Sequence, residues 1–165
     1  MRDKRFIAAH RGGPLSPERH RLLATWALDC AERLLPLFEA HSADNRPRQA
    51  IEIGRAWVRG EVKTSVAMQA AVAAHAAARA ASNPAAVAAA RAAGHAVATA
   101  HAADHSLGPV IYGEKAIRAA GESTENEIAR QLELLPGNVR SLILSAIRKR
   151  LKTSHPARPR QVPDR

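Results

Sequence analysis

The chain has 165 residues and one cysteine, Cys30, which excludes an internal disulfide and fits a reducing compartment. Aromatic residues make up 3% of it, so a core adequate for one domain of this length has to be built from Leu, Ile, Val and Ala. No apolar run approaches the roughly 20 residues that a membrane span requires. The start, whose single apolar run is Phe6-Ile7-Ala8-Ala9, predicts neither a signal peptide nor an anchor. No stretch alternates apolar and polar residues with period two between turn signals, so no strand is predicted. A cytoplasmic, non-membrane protein is expected.

Acidic residues are also in deficit, with 15 against 25 Lys and Arg and a net charge of +10. Such basicity first suggests nucleic acid, and its distribution tempers the suggestion. Residues 1–21 carry +4 and residues 140–165 carry +7, whereas the body between them carries −1. The excess therefore belongs to the ends. Arg148, Lys149, Arg150, Lys152, Arg158 and Arg160 are the candidates for weak nucleic-acid binding, and a solvated tail explains the same residues.

What is present is helical. Ser16-Pro17-Glu18 supplies an N-cap, a first-turn proline and a first-turn acid. Leu22, Leu23, Trp26, Cys30, Leu34, Leu37 and Phe38 then recur at helical spacing, which predicts one long first helix with Pro36 kinking its last turn. A second helix over about 45–59 should bury Ile51, Ile53 and Trp57 and stop at Gly60. A third runs from Thr64 to Ser82, and Asn83-Pro84 opens a fourth that reaches about His105. Pro109 starts a fifth with Val110, Ile111 and Ile117, ended by Gly121; Thr124 to Glu127 reads as a capping box for a sixth. Pro136-Gly137 breaks the chain before a last helix carrying Val139, Leu142, Ile143, Ile147 and Leu151. The expected organisation is a basic segment over 1–15, a helical domain over 16–151 and a basic, proline-rich disordered tail over 152–165.

The third and fourth helices consist largely of alanine, the residue with the highest helix propensity and nearly the smallest side chain, so they can approach closely. Four histidines, His75, His95, His101 and His105, interrupt them. His101 and His105 stand four apart beside Asp104, a spacing that can present two imidazoles to one metal but needs further ligands. Folding the hairpin about Asn83 places His75 opposite Arg91, about 15 Å along the fourth helix from His101, and turns His95 about 120° away from His101. No metal and no cofactor are expected on that geometry. The group instead reads as a hydrogen-bonded His/Asp cluster, structural or facing a partner, in which His105 suits a helix C-terminus and Asp104 needs a compensating cation. General acid/base work or a metal centred on these residues remains the enzymatic alternative.

Asp29 and Arg33, four apart beside Glu32, are candidates for a local ion pair on the first helix. Cys30 lies in the apolar stripe and reads as core. Gly12-Gly13 reads as the turn before the first helix, and Gly94 as a point of close contact facing the neighbourhood of Ala71.

Several blocks carry a family resemblance. Arg11-Gly12-Gly13, His20 to Ala24, Trp26-Ala27, Asp29 to Arg33 and Leu35 to Glu39 form an opening block. Ala56-Trp57, Arg59-Gly60-Glu61, Ala74 to Arg79, Ala92 to Ala96, His101 and Asp104-His105 follow it. Together, from about Arg5 to Ile147, they resemble an all-helical bacterial family of immunity proteins of the immunity-five-like type. The resemblance implies a small antitoxin-like protein that binds a cognate toxin from its own strain and blocks it without catalysis. The fold expected from the residues themselves is an all-α, single-domain bundle of about seven helices. The competing functions are a nucleic-acid-associated helical protein and a His-based metal protein or enzyme.

Overall fold

The computed structural model describes residues 3–154, with side chains described through residue 149. Eight α-helices lie in this span: α1 (Pro17–Glu32), α2 (Leu35–Glu39), α3 (Arg46–Val58), α4 (Thr64–Ala80), α5 (Pro84–Ala98), α6 (Gly108–Ala119), α7 (Thr124–Glu133) and α8 (Gly137–Ser154). Short 3-10 turns cover Lys4–Phe6, Ala9–Arg11 and Ala103–Leu107. The fold is all-α and single-domain, and the only pairing of β type among the described residues is one isolated bridge between Ala8 and Leu15.

Alanine decides the architecture. α5 sits at the centre, packed against α1, α2, α3, α4 and α6, with eleven of its fifteen residues buried. Only a helix with almost no side chains can admit that many neighbours at once. Phe38, Leu28, Leu34, Leu35 and Ile51 pack with the α5 alanines, and a second cluster forms where Trp26, Leu23, Phe6 and Leu15 meet Val139, Leu142 and Ile143 of α8. Trp26 donates its indole N–H to the Gln131 carbonyl at 2.8 Å, anchoring α7 to α1. On the other side Ala67, Ala70, Ala71 and Ala74 of α4 close on Val97 and Ala98.

Local signals act where they were read. Ser16 Oγ accepts from Arg19 N at 3.2 Å, and Asn83 Oδ1 accepts from the amides of Ala85 and Ala86 at 2.9 and 3.1 Å. Gly60 and Gly121 end helices at φ of +78° and +79°. Cys30 is fully buried, and burial pushes its thiol far above its ordinary pKa.

Five features differ from expectation. The first helix is two, because a continuous helix would set the Pro36 ring against the carbonyl four residues earlier; the chain instead tightens at Leu34 and restarts with Pro36 in the first turn of α2. The fourth predicted helix stops at Ala98 rather than His105. Thr124 to Glu127 is no capping box: Ser123 is the N-cap position without a side-chain cap, and Glu127 is buried, accepting from Gln131 Nε2 at 3.0 Å. Ile53 and Trp57 are only partly buried. α8 runs to Ser154, so Lys152 belongs to its backbone; the rest of the predicted tail lies outside the described residues.

Candidate functional site

The early end of α5 creates the site. Thr99, Ala100 and His101 donate to carbonyls three residues back, and Ala102 turns extended with φ −152°. The chain then folds over its own helix end. His20 of α1 meets the buried carbonyl of Thr99, with Nε2 at 2.6 Å from the oxygen. An imidazole donor there satisfies a helix C-terminal acceptor, the role that the sequence reading assigned to His105.

Folding back brings the four histidines into one row. The His75 and His95 rings are 5.1 Å apart edge to face, those of His95 and His105 5.2 Å, and those of His105 and His101 5.1 Å. Tyr112 of α6 stacks on His95 at 5.1 Å, with Lys115 Nζ 5.0 Å from the phenol ring centre. Glycines make the space. A Cβ at Gly94 would lie 2.6 Å from His75 Cε1, and one at Gly108 would lie 2.3 Å from His95 Cβ. Gly94 therefore faces His75 rather than the Ala71 neighbourhood. The expected 15 Å separation of His75 from His101 assumed a straight helix; His95 and His105 bridge it because the helix ends.

Nδ1 of His95 and Nδ1 of His105 are 3.0 Å apart. That contact requires one nitrogen to donate and the other to accept, so the two rings hold opposite tautomers around a single shared proton. His75 has a buried Nδ1 with no hydrogen-bond partner among the described residues. Burial, followed by the charges of Arg91, His105 and Arg79, holds its pKa below the ordinary imidazole value. Asp104 shares the 3-10 turn of His105 and is partly buried. Among the described residues, no set of three or more His, Cys, Asp or Glu side chains is placed to hold a metal ion. The arrangement can share a proton between His95 and His105.

His101 also borders a surface pocket of about 140 Å³, whose other walls include His10, Arg11, His20, Arg21, Trp57 and Thr64. His20 packs against Trp57 with ring centres 5.3 Å apart, and Trp57 donates to Thr64 Oγ1 at 3.1 Å. The sequence reading missed His20, Tyr112 and this pocket. A signal was available in the repeated His-Arg dipeptide, His10-Arg11 and His20-Arg21, which the pocket brings together.

The remaining candidates lie apart from the row. Asp29 pairs with Arg55 of α3 at 2.9 Å, and Glu32 pairs with the same guanidinium, so the predicted Asp29–Arg33 pair does not form. Arg55 reaches across from α3 and takes both carboxylates, whereas Arg33 sits at the C-cap of α1. Arg148 and Lys149 are exposed on α8; the side chains of Arg150 and Lys152, and all of Arg158 and Arg160, lie outside the described residues. The basic N-terminal segment is fastened to the same helix, with Arg5 donating to Ser145 Oγ at 2.7 Å and to Asp3, whose pKa that bond lowers to about 2. No helix among the described residues is long and apolar enough to cross a membrane.

Comparison with curated proteins and with solved structures finds no match. A family model does match, over residues 13–138, from the glycine turn before α1 to the start of α8. The match takes in the opening block from Gly13 on, the alanine-rich hairpin and the whole histidine row, and the chain belongs to the family described as Imm-5 like putative immunity protein.

Proposed function

We propose that this protein protects its own cell by binding a cognate toxin stoichiometrically, in the cytoplasm and without turnover, and that the partner is held at the end of the bundle where His101, Asp104 and His105 come together. Membership of the immunity family over residues 13–138 is the observation that carries the reading. The site's construction supports it. Polar groups held between close-packed, alanine-rich helices are pre-organised, and a rigid polar surface loses little entropy when a partner docks.

The test is coexpression with toxin genes of the source genome, beginning with the neighbouring gene. The expected result is rescue of growth and copurification of a 1:1 complex, with rescue weakened by His101→Ala combined with His105→Ala in protein that remains folded. Failure of the wild-type chain to protect against or bind any of these toxins overturns the reading.

A further inference from the structure

The pocket beside His101 has cationic and imidazole groups on its walls and no carboxylate. Its two arginines are uncommitted among the described residues, where the ion pairs engage Arg5, Arg46, Arg48, Arg55, Arg59 and Arg118 instead of Arg11 and Arg21. His20 is 5% exposed on the pocket wall. Burial holds its pKa below the ordinary value and the neighbouring His10 and Arg11 lower it further, against a raising contribution from the Thr99 carbonyl. Two arginines and three imidazoles on a wall without a carboxylate dispose the pocket toward an anion.

Backbone and hydroxyl groups add to the field. Pro17 and Thr64, the first residues of α1 and α4, both line the pocket, and α4 has neither a side-chain cap nor a first-turn acid to neutralise its positive end. Thr64 Oγ1 accepts the Trp57 N–H, which leaves its own hydroxyl proton to donate. Ala100, just past the end of α5, forms another part of the wall and contributes the opposite helix polarity. At about 140 Å³ the space is well below the roughly 300–1,000 Å³ of ordinary small-molecule sites and suits one side-chain group.

We propose that this pocket is the receptor for one carboxylate, presented by an Asp or Glu side chain on the surface of the protein's partner. That the partner is a protein rests on the immunity reading; that the pocket takes a carboxylate rests on its own groups. Arg11 and Arg21 at the rim would steer the acid in, the Thr64 hydroxyl would donate to it, and the bound charge would favour protonation of His20, whose Nδ1 would then donate as well.

Two measurements on the full-length chain test this. In the first, NMR follows the His20 ring while the protein is titrated with the capped tripeptide Ala-Glu-Ala, with capped Ala-Gln-Ala, and with inorganic phosphate at constant ionic strength. The Glu peptide should bind saturably and raise the His20 titration midpoint, the Gln peptide should do neither, and Arg11→Ala with Arg21→Ala should weaken the response about tenfold or more. Equal responses to the two peptides, or phosphate binding about tenfold tighter than the Glu peptide, overturn the carboxylate assignment. In the second, capture of the toxin should weaken at least about tenfold in Arg11→Glu with Arg21→Glu and stay within about twofold in Arg118→Glu, an exposed arginine outside the pocket. Undiminished capture by the Arg11/Arg21 variant overturns the docking inference and leaves the immunity reading standing. If the wild-type chain captures no toxin, the immunity reading and the partner assignment fall together, and the peptide titration still decides the pocket.

Discussion

Replacing Gly94 by alanine tests the packing of the histidine row, because two effects of known size oppose each other there. Gly94 is an interior residue of α5, where exchange of glycine for alanine ordinarily stabilises by about 1 kcal/mol. The new Cβ would meet His75 along a whole edge of its ring, at 2.6 Å from Cε1, 2.7 Å from Nδ1 and 2.9 Å from Nε2. The ring escapes only by swinging away from His95 and out of its half-buried position. Overpacking of this kind costs about 1–3 kcal/mol, so Gly94→Ala should destabilise by about 1 kcal/mol net. In a His75→Ala background the obstacle is gone, and the same change should stabilise by about 1 kcal/mol. The coupling of about 2 kcal/mol lies within the range for residues in direct contact. Urea unfolding followed by circular dichroism, at a pH where the histidines are neutral and with unchanged m-values, reads all four corners of the cycle. An effect of Gly94→Ala that keeps its sign and size in both backgrounds refutes the contact.

Gly108→Ala should be worse than Gly94→Ala, because its Cβ would meet His95 Cβ at 2.3 Å, an atom tied to the backbone, and α6 has to shift; a loss of about 2 kcal/mol or more by urea unfolding is expected, and a neutral result contradicts it. His20 and His75 both titrate below 6.5 in the folded chain, so below that pH the unfolded chain binds more protons. Their contribution is intact above about pH 6.5 and is lost as pH falls toward the folded values, with a slope of at most about 1.4 kcal/mol per pH unit for each histidine. His75→Gln should flatten the profile, and stability that stays constant from about pH 7.5 to about pH 5.5 in the wild type rules the linkage out. Trp26→Phe keeps most of the apolar contact but strips the Gln131 carbonyl of its indole donor, and should cost about 1–3 kcal/mol in thermal or urea unfolding. Ser16→Ala and Asn83→Ala should each cost about 1 kcal/mol, with no effect on helix content beyond the first turns of α1 and α5 by hydrogen exchange.

The helical class, the absence of strands and the starts of α1 and α5 were legible in the sequence because caps, prolines and 3.6-residue periodicity act within a few residues. Gly60 and Gly121 were legible as stops for the same reason, since a positive φ is a local demand. Sequence also identified the alanine-rich hairpin and the histidines on it. The ends of helices without a local breaker were not legible. Residues 99–105 contain no glycine or proline, and where the helix stops at Ala98, His20, about eighty positions earlier, meets the Thr99 carbonyl.

That one distant contact separates what the residues determine from what the tertiary structure decides. Composition alone requires a core of small aliphatic side chains, and local pattern alone requires helices; neither depends on where the helices go. The meeting of His75, His95, His105 and His101, the exchange of Arg33 for Arg55 as the partner of Asp29, and the union of His10-Arg11 with His20-Arg21 around one pocket depend on packing between segments far apart in the chain. Periodicity reports which face of a helix is buried. It does not report which neighbour buries it, and the neighbour decides the chemistry.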